Sequence, residues 1–533
     1  MIIQKTSSQT GKDEQATNVS HLSAIVVGGG LAGMVVAREL ALRGWHVILL
    51  ESSQRLGGKA GSDIKNGRLV EHGYHVFPQW YPNVRDIVKR IGVQLIDFDR
   101  YHFLLPGSYP RTITMRGASN LSAVWHNTFH GLLPWYHNLL YFYSVLDMIS
   151  RPLSDKSFLD RVSQIGLIRG KWFTSESVAE MGQENVLKAS AIPVYDLSAM
   201  TAKRIASYWM RQATPFLSIL PGDLQTVFID PQVRELQMLG VEIRYGAEVK
   251  RVVMHGDTVA AVTLQDGTEV SGDVYALCTP FEVTRTWLHD DLYQVDPELG
   301  NMHFLEAQPM AALHLHLRRE LPDLPREHVF FHGSHYALSL IDLGRFWKEL
   351  DGKPYLSFIS SNYGPLTAVS EEGAKKLLLE EIGEYLPIEP ADIEHCELNS
   401  NISVPLFINT IGAWPNRPTS KSKISNLYLA GDFVKNPVDL ACMEGAVSSA
   451  LEAARQILGD HGETKSLPVV QVPPVWPRAL MVAARVLLFP VVVVARAVAW
   501  TEEKLSPHRP DASEVRRAAT PKLQVDGRPP RKR

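Results

Sequence analysis

The stretch LSAIVVGGGLAGMVVARELALRGWHVILLE, residues 22–51, decides the fold. Its apolar run at residues 24–27 predicts a buried parallel strand, and a glycine-rich turn leads from it into the helical pattern MVVARELALRG. Gly44 ends that helix, WHVILL is a second apolar strand, and Glu51 follows at its carboxyl end. This order of strand, turn, helix and strand predicts a βαβ unit, and hence an α/β domain with a parallel sheet.

The turn has the pattern G-x-G-x-x-G, in which each glycine has its own role. Gly28 allows the tight turn, Gly30 lets a pyrophosphate approach the backbone, and Gly33 lets the helix pack close to the strand. The helix N-terminus then stabilises the phosphates. Glu51 is placed to accept hydrogen bonds from the adenosine ribose, and its charge disfavours the 2′-phosphate of NADP. The unit therefore predicts a Rossmann-like dinucleotide-binding domain.

A second glycine pair follows the acid in SSQRLGGKAGS, where Arg55, Gly57, Gly58 and Lys59 form R-x-G-G-K. This element resembles the signature R-x-G-G-[RK] of the flavin amine oxidase superfamily, which lies along the FAD pyrophosphate just after the second strand. The resemblance implies that the cofactor is FAD and not NAD.

Two distant segments carry the same resemblance. The strand pattern NLYLA precedes Gly431 and Asp432, and a helical pattern begins at about Met443. Asp432 resembles the acid of the superfamily's G-D motif, which contacts the ribityl chain or the pyrophosphate. Val249, in GAEVKRV, resembles a valine that binds the adenine through its backbone. The resemblance implies that both segments complete the FAD site.

The stretch EHGYHVF at residues 71–77, followed by YPN, resembles the E-x-G-x-H-x-F element of plant and cyanobacterial carotenoid desaturases. ACMEGA at residues 441–446 resembles their A-S-M-E-G-A, with cysteine in place of serine. The resemblance implies that His75 is a backbone or packing residue on the flavin side and not a general base. The family's cofactor contacts, carried over by position, imply a role in FAD binding for Leu31, Ala32, Glu51, Ser52, Lys59, His75, Val76, Tyr81, Asp432 and Met443.

This resemblance implies an FAD-dependent oxidoreductase that desaturates a hydrophobic, carotene-type polyprenoid, with hydride transfer to flavin N5 and reoxidation by a quinone or another acceptor. FAD supplies the chemistry of such a reaction, so no protein nucleophile or metal is required. The sequence identifies no catalytic residue and no metal site. Three alternatives stay open: a flavin-dependent amine oxidase, a hydroxysqualene-type dehydroxylase, and a prenyl-binding protein of the GDP-dissociation-inhibitor kind.

The substrate is less defined than the cofactor. Residues 121–150 and 205–221 are rich in aromatic and aliphatic residues, which predicts helices of a core, of a hydrophobic tunnel wall or of a membrane-facing lip. Some plant-type desaturases have an arginine in a P-x-x-R-L stretch near this region, whereas the corresponding LPGDLQTVFIDPQ has none. The chain is therefore also compatible with a polyprenoid other than phytoene, including an oxygenated one.

The resemblance and the composition together predict a chain divided into several segments. The predicted segments are a disordered lead at residues 1–20, a discontinuous FAD-binding domain at 21–105, 235–285 and 420–460, an α+β substrate domain at 106–234 and 286–419, an amphipathic membrane-associated helix at 475–503, and a disordered basic tail at 504–533.

The helix near the C-terminus, PRALMVAARVLLFPVVVVARAVAW, is apolar but contains Arg478, Arg485 and Arg496. At 3.6 residues per turn these arginines fall on one stripe, which predicts a helix lying in the membrane interface with the stripe towards the headgroups. A cover over the protein's own tunnel mouth and a true span are the alternatives. A helix lying in the membrane interface implies a peripheral, monotopic enzyme on the cytoplasmic side of a membrane.

The composition restricts the classes of protein to which this chain can belong. The 533 residues are 45% hydrophobic and 21% charged, which is typical of globular proteins, and the net charge of −3 gives no indication of nucleic-acid binding. Three cysteines without metal or disulfide spacing are consistent with a reducing compartment. The polar N-terminus predicts no secretory signal, and the sequence leaves the oligomeric state open.

Overall fold

The computed structural model describes residues 22–65, 68–117, 120–151, 156–193, 195–209, 215–438, 440–463 and 477–505. The predicted lead at residues 1–20 and the predicted tail from residue 506 onwards lie outside the described residues. The described strands are β1 (Ser23–Val27), β2 (His46–Leu50), β3 (Asp63–Lys65), β4 (Arg68–Val70), β5 (Ile96–Phe98), β6 (Arg100–Leu104), β7 (Ile113–Arg116), β8 (Leu217–Ile219), β9 (Glu242–Arg244), β10 (Val249–His255), β11 (Thr258–Leu264), β12 (Glu269–Val270), β13 (Val274–Leu277), β14 (Glu306–Gln308), β15 (Ala311–Leu317), β16 (His328–Phe331), β17 (Leu338–Asp342), β18 (Tyr355–Ser360), β19 (Ile393–Ser400), β20 (Leu406–Ile408) and β21 (Leu427–Leu429).

The helices connect these strands and cover the sheets. The described α-helices are α1 (Leu31–Ala41), α2 (Pro82–Arg90), α3 (Leu121–His130), α4 (Trp135–Ser150), α5 (Lys156–Arg161), α6 (Gln164–Arg169), α7 (Glu176–Ser190), α8 (Ala199–Trp209), α9 (Asp230–Met238), α10 (Phe281–Thr284), α11 (Asp290–Val295), α12 (Glu371–Tyr385), α13 (Ala413–Asn416), α14 (Met443–Asp460) and α15 (Arg478–Leu505).

The first sheet contains the glycine-fingerprint unit at its centre. Its five strands have the order β21-β13-β1-β2-β9, and all neighbours are parallel. The chain runs from β1 to β2 on one side, whereas β13 lies on the other side of β1. Ligands of open parallel sheets bind at such a reversal, beyond the carboxyl ends of the strands. The sheet confirms the predicted Rossmann-like α/β class.

Both faces of this sheet are covered, as the nearly continuous apolar strands predict. In β1 the side chains alternate: Ala24 and Val26 belong to the core under α1 and α14, whereas Ile25 and Val27 belong to the core on the other face. The antiparallel strands β10, β11 and β12 contribute to that second core. The two cores hold the fingerprint turn between rigid layers.

A second, larger sheet forms the centre of the remaining domain. Its seven strands have the order β19-β15-β18-β17-β16-β6-β7, and its core includes residues of α12. Strand β6 pairs in parallel with β16 of this sheet. The predicted FAD-binding segment at residues 21–105 therefore includes a strand of the second sheet, because β16, the parallel partner of β6, lies more than 200 residues further along the chain. The other predicted domain boundaries stay predictions.

Helices α3 and α4 occupy the aromatic segment at residues 121–150, as predicted. The prediction of a helix over residues 205–221 is wrong in part. Helix α8 ends at Trp209, and residues 217–219 form β8, which pairs with β5. Pro215 and Pro221 flank that strand, and proline disfavours a helix interior.

Helix α15 packs along α4, and two of its arginines face the protein and not a headgroup layer. Arg485 forms an ion pair with Asp147 of α4, and Arg496 donates to the carbonyl of Trp172. The predicted direction of the arginine stripe is thus wrong for these two residues. For Arg485 the physical reason is the buried carboxylate of Asp147, which needs a cationic partner. Arg478 is exposed.

Candidate functional site

One continuous cavity of about 1270 Å³ extends from the carboxyl edge of the first sheet into the second domain. Of the residues that the sequence assigned to the cofactor, only Gly33 does not line it. The lining includes Gly28, Gly30, Leu31, Ala32, Glu51, Ser52, Arg55, Gly57, Gly58, Lys59, His75, Val76, Tyr81, Val249, Gly431, Asp432 and Met443.

The fingerprint turn has the geometry that a pyrophosphate requires. Gly28 has φ +102°, and an added Cβ would lie 2.8 Å from the Thr279 side chain. Gly30 precedes the first residue of α1, and an added Cβ there would meet no atom within 4 Å. The space over Gly30, at the amino end of α1, is therefore open to an anionic group.

Gly33 has the packing role predicted for it. A Cβ at this position would lie 1.8 Å from the carbonyl oxygen of Gly28. No side chain fits there without moving the backbone. Gly33 therefore brings α1 close to the end of β1 and holds the turn in shape, although it does not line the cavity.

The second glycine pair packs directly on the first turn. The backbone N–H of Gly57 donates to the carbonyl of Gly29 at 2.9 Å. Gly57 and Gly58 both have positive φ, and a Cβ on Gly58 would lie 3.1 Å from the Cα of Gly30. R-x-G-G-K thus forms the opposite wall of the same narrow space, which explains why this element accompanies the fingerprint.

Glu51 is held in place by local backbone donors. Its Oε2 accepts from the Gly29 amide at 2.7 Å, and its Oε1 accepts from the Ser53 amide at 2.8 Å. The carboxylate is thereby fixed at the end of β2, facing the cavity beside Ser52. Gly29 is a residue that the sequence analysis did not assign. The sequence feature that could have identified it is its position inside the glycine triplet at residues 28–30.

The C-terminal element reaches the cavity from the other side. Gly431 has φ +155° and donates its N–H to Ser449 Oγ of α14 at 2.9 Å. Asp432 lines the cavity and is partly buried; burial raises the pKa of its carboxyl, while the charge of Lys59 opposes that shift. Cys442 takes the helix-capping role of the usual serine, because its Sγ accepts from the Gly445 amide at 3.3 Å.

Glu444 connects this element to the YPN segment. It is fully buried and accepts from the Asn83 amide and side chain at 3.1 and 2.6 Å and from the Val84 amide at 2.9 Å. These bonds cap the amino end of α2. Burial raises the pKa of Glu444 to about 7. Its role is to position Tyr81 and α2, a role that the sequence analysis missed.

The histidine element forms part of the cavity wall between the two sheets. Glu71 is buried and accepts from the Leu224 amide at 2.7 Å, and burial raises its pKa to about 8. His72 bonds through Nε2 to the carbonyl of Lys59 at 2.5 Å. Burial, with a smaller contribution from His72, lowers the pKa of His75 to about 3. His75 is therefore neutral, in agreement with a packing role.

Several buried polar atoms around the cavity have no hydrogen-bond partner among the described residues. These atoms include His75 Nδ1, Gln225 Oε1, Asn401 Nδ2 and Asn409 Oδ1. Buried polar groups are normally bonded, so unpartnered ones along a cavity indicate a polar ligand. Gln225, Asn401 and Asn409 were not assigned from the sequence, because no local motif surrounds them.

These observations fit FAD. The open space over Gly30 suits the pyrophosphate, the fixed carboxylate of Glu51 suits a ribose, and the unpartnered atoms suit a polar ring system. Among the described residues, no group of three or more His, Cys, Asp or Glu side chains could hold a metal ion.

Beyond the cofactor part, the cavity is largely apolar. Helices α4, α6, α7 and α8 supply most of this wall. Their apolar lining residues include Tyr141, Phe142, Val145, Met148, Ile168, Val178, Met181, Val186, Ala202 and Ile205. This chamber has the chemistry for a hydrophobic ligand, and it is continuous with the cofactor part.

Comparisons with known proteins agree with this geometry. The family model for flavin containing amine oxidoreductase matches residues 224–458, and that for an NAD(P)-binding Rossmann-like domain matches residues 26–91. The chain is 25% identical over 466 residues to 15-cis-phytoene desaturase of Arabidopsis thaliana, covering 83% of this chain and 80% of the relative.

Two further similarities extend the comparison. The chain is 24% identical over 490 residues to a probable zeta-carotene desaturase of Synechococcus elongatus, covering 81% of this chain and 98% of the relative. Among solved structures, a putrescine oxidase has a TM-score of 0.64 at 15% identity and covers 82% of this chain and 99% of its own. That last similarity concerns the fold alone.

Proposed function

We propose that this chain, which belongs to the flavin amine oxidase superfamily and is an FAD-dependent oxidoreductase, desaturates a hydrophobic polyprenoid at the surface of a membrane. The relatives named phytoene and zeta-carotene desaturase support this reaction class. The single observation that carries the proposal is the continuity of the cavity: the FAD cradle opens into a chamber of aromatic and aliphatic side chains.

When bound, with Gly30, Glu51 and Lys59 among the residues that would hold it, FAD would supply the two-electron redox chemistry of the desaturation: flavin N5 would be the hydride acceptor, and a membrane quinone would be the final electron acceptor. The protein itself binds the polyprenoid and orients it. Helices α4, α7 and α8 hold the polyprenoid by apolar contact and exclude water. The buried, neutral His75 adds no charge to this wall.

The membrane part of the proposal rests on an exposed apolar surface, which we call the apolar face. It comprises one side of α15 together with α3 and two neighbouring tryptophans. The exposed members include Leu121, Trp125, Phe129, Trp135, Trp172, Leu480, Val486, Leu487, Phe489, Val494 and Trp500. Exposed apolar side chains grouped on one face of a globular protein indicate a docking surface, and the aliphatic and tryptophan content of this face suits acyl chains and their boundary with headgroups.

The contacts of α15 favour lying on the bilayer over crossing it. By length and composition alone, this helix could cross a membrane. Its buried residues Met481, Val492, Ala495 and Ala499, however, pack towards the protein and leave only one side for lipid. Helix α4 lies between α15 and the cavity, since α4 both lines the chamber and contacts α15. We therefore propose a peripheral, monotopic enzyme on the cytoplasmic side, whose substrate reaches the chamber from the lipid phase.

The test is a visible spectrum of the full chain purified in detergent, followed by anaerobic mixing with C30 and C40 polyprenes. The proposal expects a flavin band near about 450 nm that one polyprene bleaches. The absence of a flavin band even after addition of FAD would contradict it. Bleaching only by amines would identify the protein as an amine oxidase. A product that has lost a hydroxyl would identify it as a hydroxysqualene-type dehydroxylase.

A further inference from the structure

A buried arginine behind the cavity wall holds the backbone of the segment that carries Asp432. Arg417, which follows α13, is only 2% exposed. Its Nε donates to the carbonyl of Phe433 at 2.7 Å, and its Nη2 donates to the carbonyls of Asp432 and Val434 at 3.1 and 2.8 Å. Three consecutive carbonyl groups therefore share one guanidinium. Because Asp432 lines the cavity, Arg417 fixes a part of the cofactor wall from behind.

This arrangement depends on the shape of the arginine side chain. A guanidinium presents several N–H donors in a rigid plane, whereas a lysine has a single nitrogen on a flexible stem. The plane also packs against aromatic rings: its central carbon lies 5.3 Å from the ring centroid of Phe407 and 5.5 Å from that of Trp414. Such cation–π contacts stabilise a charge that is removed from water. The guanidinium is thus held rigidly, and the segment from Asp432 to Val434 is held with it.

Trp414 connects this arginine to a wall of the hydrophobic chamber. Its ring packs against a cluster that includes Leu159 of α5 and Met200 of α8. The guanidinium carbon of Arg204, also on α8, lies 4.8 Å from the centroid of the same ring. Two further residues of α8, Ala202 and Ile205, line the chamber. Trp414 therefore lies between Arg417 and a helix that the polyprenoid would contact.

The two residues thereby join the two parts of the cavity that have to be aligned. The Asp432 segment belongs to the cofactor wall, and α8 belongs to the chamber wall. From the side of α14, Ser449 Oγ accepts from the Gly431 amide at 2.9 Å, and Arg417 holds the residues that follow. Hydride transfer requires the reacting atoms to lie about 3–3.5 Å apart, and a displacement of about 1 Å can slow a reaction about 100-fold.

We infer that Arg417 is a positioning residue of the reaction, and that it acts with Trp414 to fix the Asp432 segment, and hence FAD, relative to α8 and the polyprenoid. Among the described residues that line the cavity, neither Arg417 nor Trp414 is present. Their effect on the reaction is therefore indirect and passes through the backbone that they hold. The inference rests on the proposed function and adds to it a residue that touches neither cofactor nor substrate.

The test uses the full chain in detergent and the variant R417K, which keeps the positive charge but loses the planar fork. The dissociation constant of FAD and the visible circular dichroism of the bound flavin report the cofactor site without turnover. The rate of anaerobic flavin reduction is measured with the C30 or C40 polyprene that bleaches the wild type. We expect R417K to bind FAD about tenfold more weakly, to have an altered dichroism spectrum, and to be reduced about 100-fold more slowly per bound flavin. The half-saturating polyprene concentration should stay the same, because α8 is intact.

R345K is the matched control. Arg345 lies between β17 and β18 and also donates to a carbonyl, that of Leu324 at 2.8 Å, but it is not a lining residue of the cavity. This variant should keep the wild-type dichroism spectrum and reduction rate.

W414L is the second variant in case R417K does not fold, since Trp414 is partly exposed and less critical for folding. Its flavin should be reduced about tenfold more slowly than that of the wild type. In the double variant the two effects should be less than additive, because the two residues act as one unit.

The outcomes separate this inference from the proposed function. A wild-type flavin that no polyprene reduces would contradict the proposed function and, with it, a role of Arg417 in that reaction. If a polyprene reduces the wild type, and R417K or W414L at the same rate per bound flavin, the positioning role is overturned while the proposed function stands. An equal loss of rate in R345K would overturn it as well, because the effect would then not depend on this site.

Discussion

Arg485 of α15 and Asp147 of α4 form an ion pair with an N–O distance of 2.5 Å, and the aspartate side chain is only 4% exposed. Arg485 also donates to Ser150 Oγ at 3.1 Å. Near the other end of the helix, Glu502 accepts from Tyr136 and pairs with His137 at 2.8 and 2.9 Å. The apolar helix is therefore held against the protein by polar contacts, which leaves its aliphatic side outward.

Replacement of Arg485 by methionine should weaken the attachment of α15. We expect a loss of about 1–3 kcal/mol in the free energy of unfolding, less than for a fully buried pair because the arginine is partly exposed and Arg151 and Lys171 remain near Asp147. Thermal unfolding and limited proteolysis in detergent would measure it. R478M, on the exposed part of the same stripe, is the control. Equal effects of the two variants would refute a specific role for the pair.

Polar substitutions on the apolar face should reduce membrane binding without unfolding the protein. Leu487 and Val494 are 78% and 57% exposed, so L487S/V494S removes few contacts within the protein. A fully buried aliphatic side chain contributes about 1.5–3 kcal/mol, which predicts at least a tenfold lower partition into liposomes. The control is M238S, an exposed site on α9. Unchanged flotation of the double variant with vesicles would exclude this face as the docking surface.

Two glycines of the fingerprint should respond in opposite ways to added side chains. Gly30 has φ −72° and open space for a Cβ, so G30V should fold with little loss of stability but fail to retain FAD. In G33A the new methyl would overlap the Gly28 carbonyl, so this protein should be strongly destabilised. The flavin-to-protein absorbance ratio and the melting temperature of the apoprotein distinguish the two. Full flavin content in G30V would contradict the location of the pyrophosphate.

Glu71 should make stability depend on pH. Its pKa is raised to about 8 in the folded chain from 4.5, so the folded state retains a proton that the unfolded state loses. Stability should therefore fall as the pH rises between about 4.5 and about 8, and then level off. E71Q keeps an acceptor for the Leu224 amide but cannot ionise, so its advantage in melting temperature over the wild type should grow through this window. Parallel melting curves for the two proteins would disprove this assignment.

The cofactor site was predictable because its determinants are local. The tight turn at Gly28, the close packing at Gly33 and the acid at Glu51 depend on neighbours within about 25 residues along the chain. A contiguous pattern therefore specifies them. The resemblance added the distant Asp432 and Val249, which line the same cavity as the fingerprint. By contrast, no motif surrounds the unpartnered atoms of Gln225, Asn401 and Asn409.

By itself, the sequence determined the FAD-binding α/β unit, its helices and strands near the fingerprint, and the presence of one apolar helix near the C-terminus. Only the tertiary structure decided which way Arg485 points, because its partner Asp147 lies 338 positions earlier in the chain. The same holds for the hydrogen bonds of the Tyr74 hydroxyl to His328 and Ser339, because these three residues are brought together from two strands and a loop. Turns follow from local backbone geometry, whereas the burial and pairing of side chains depend on long-range packing.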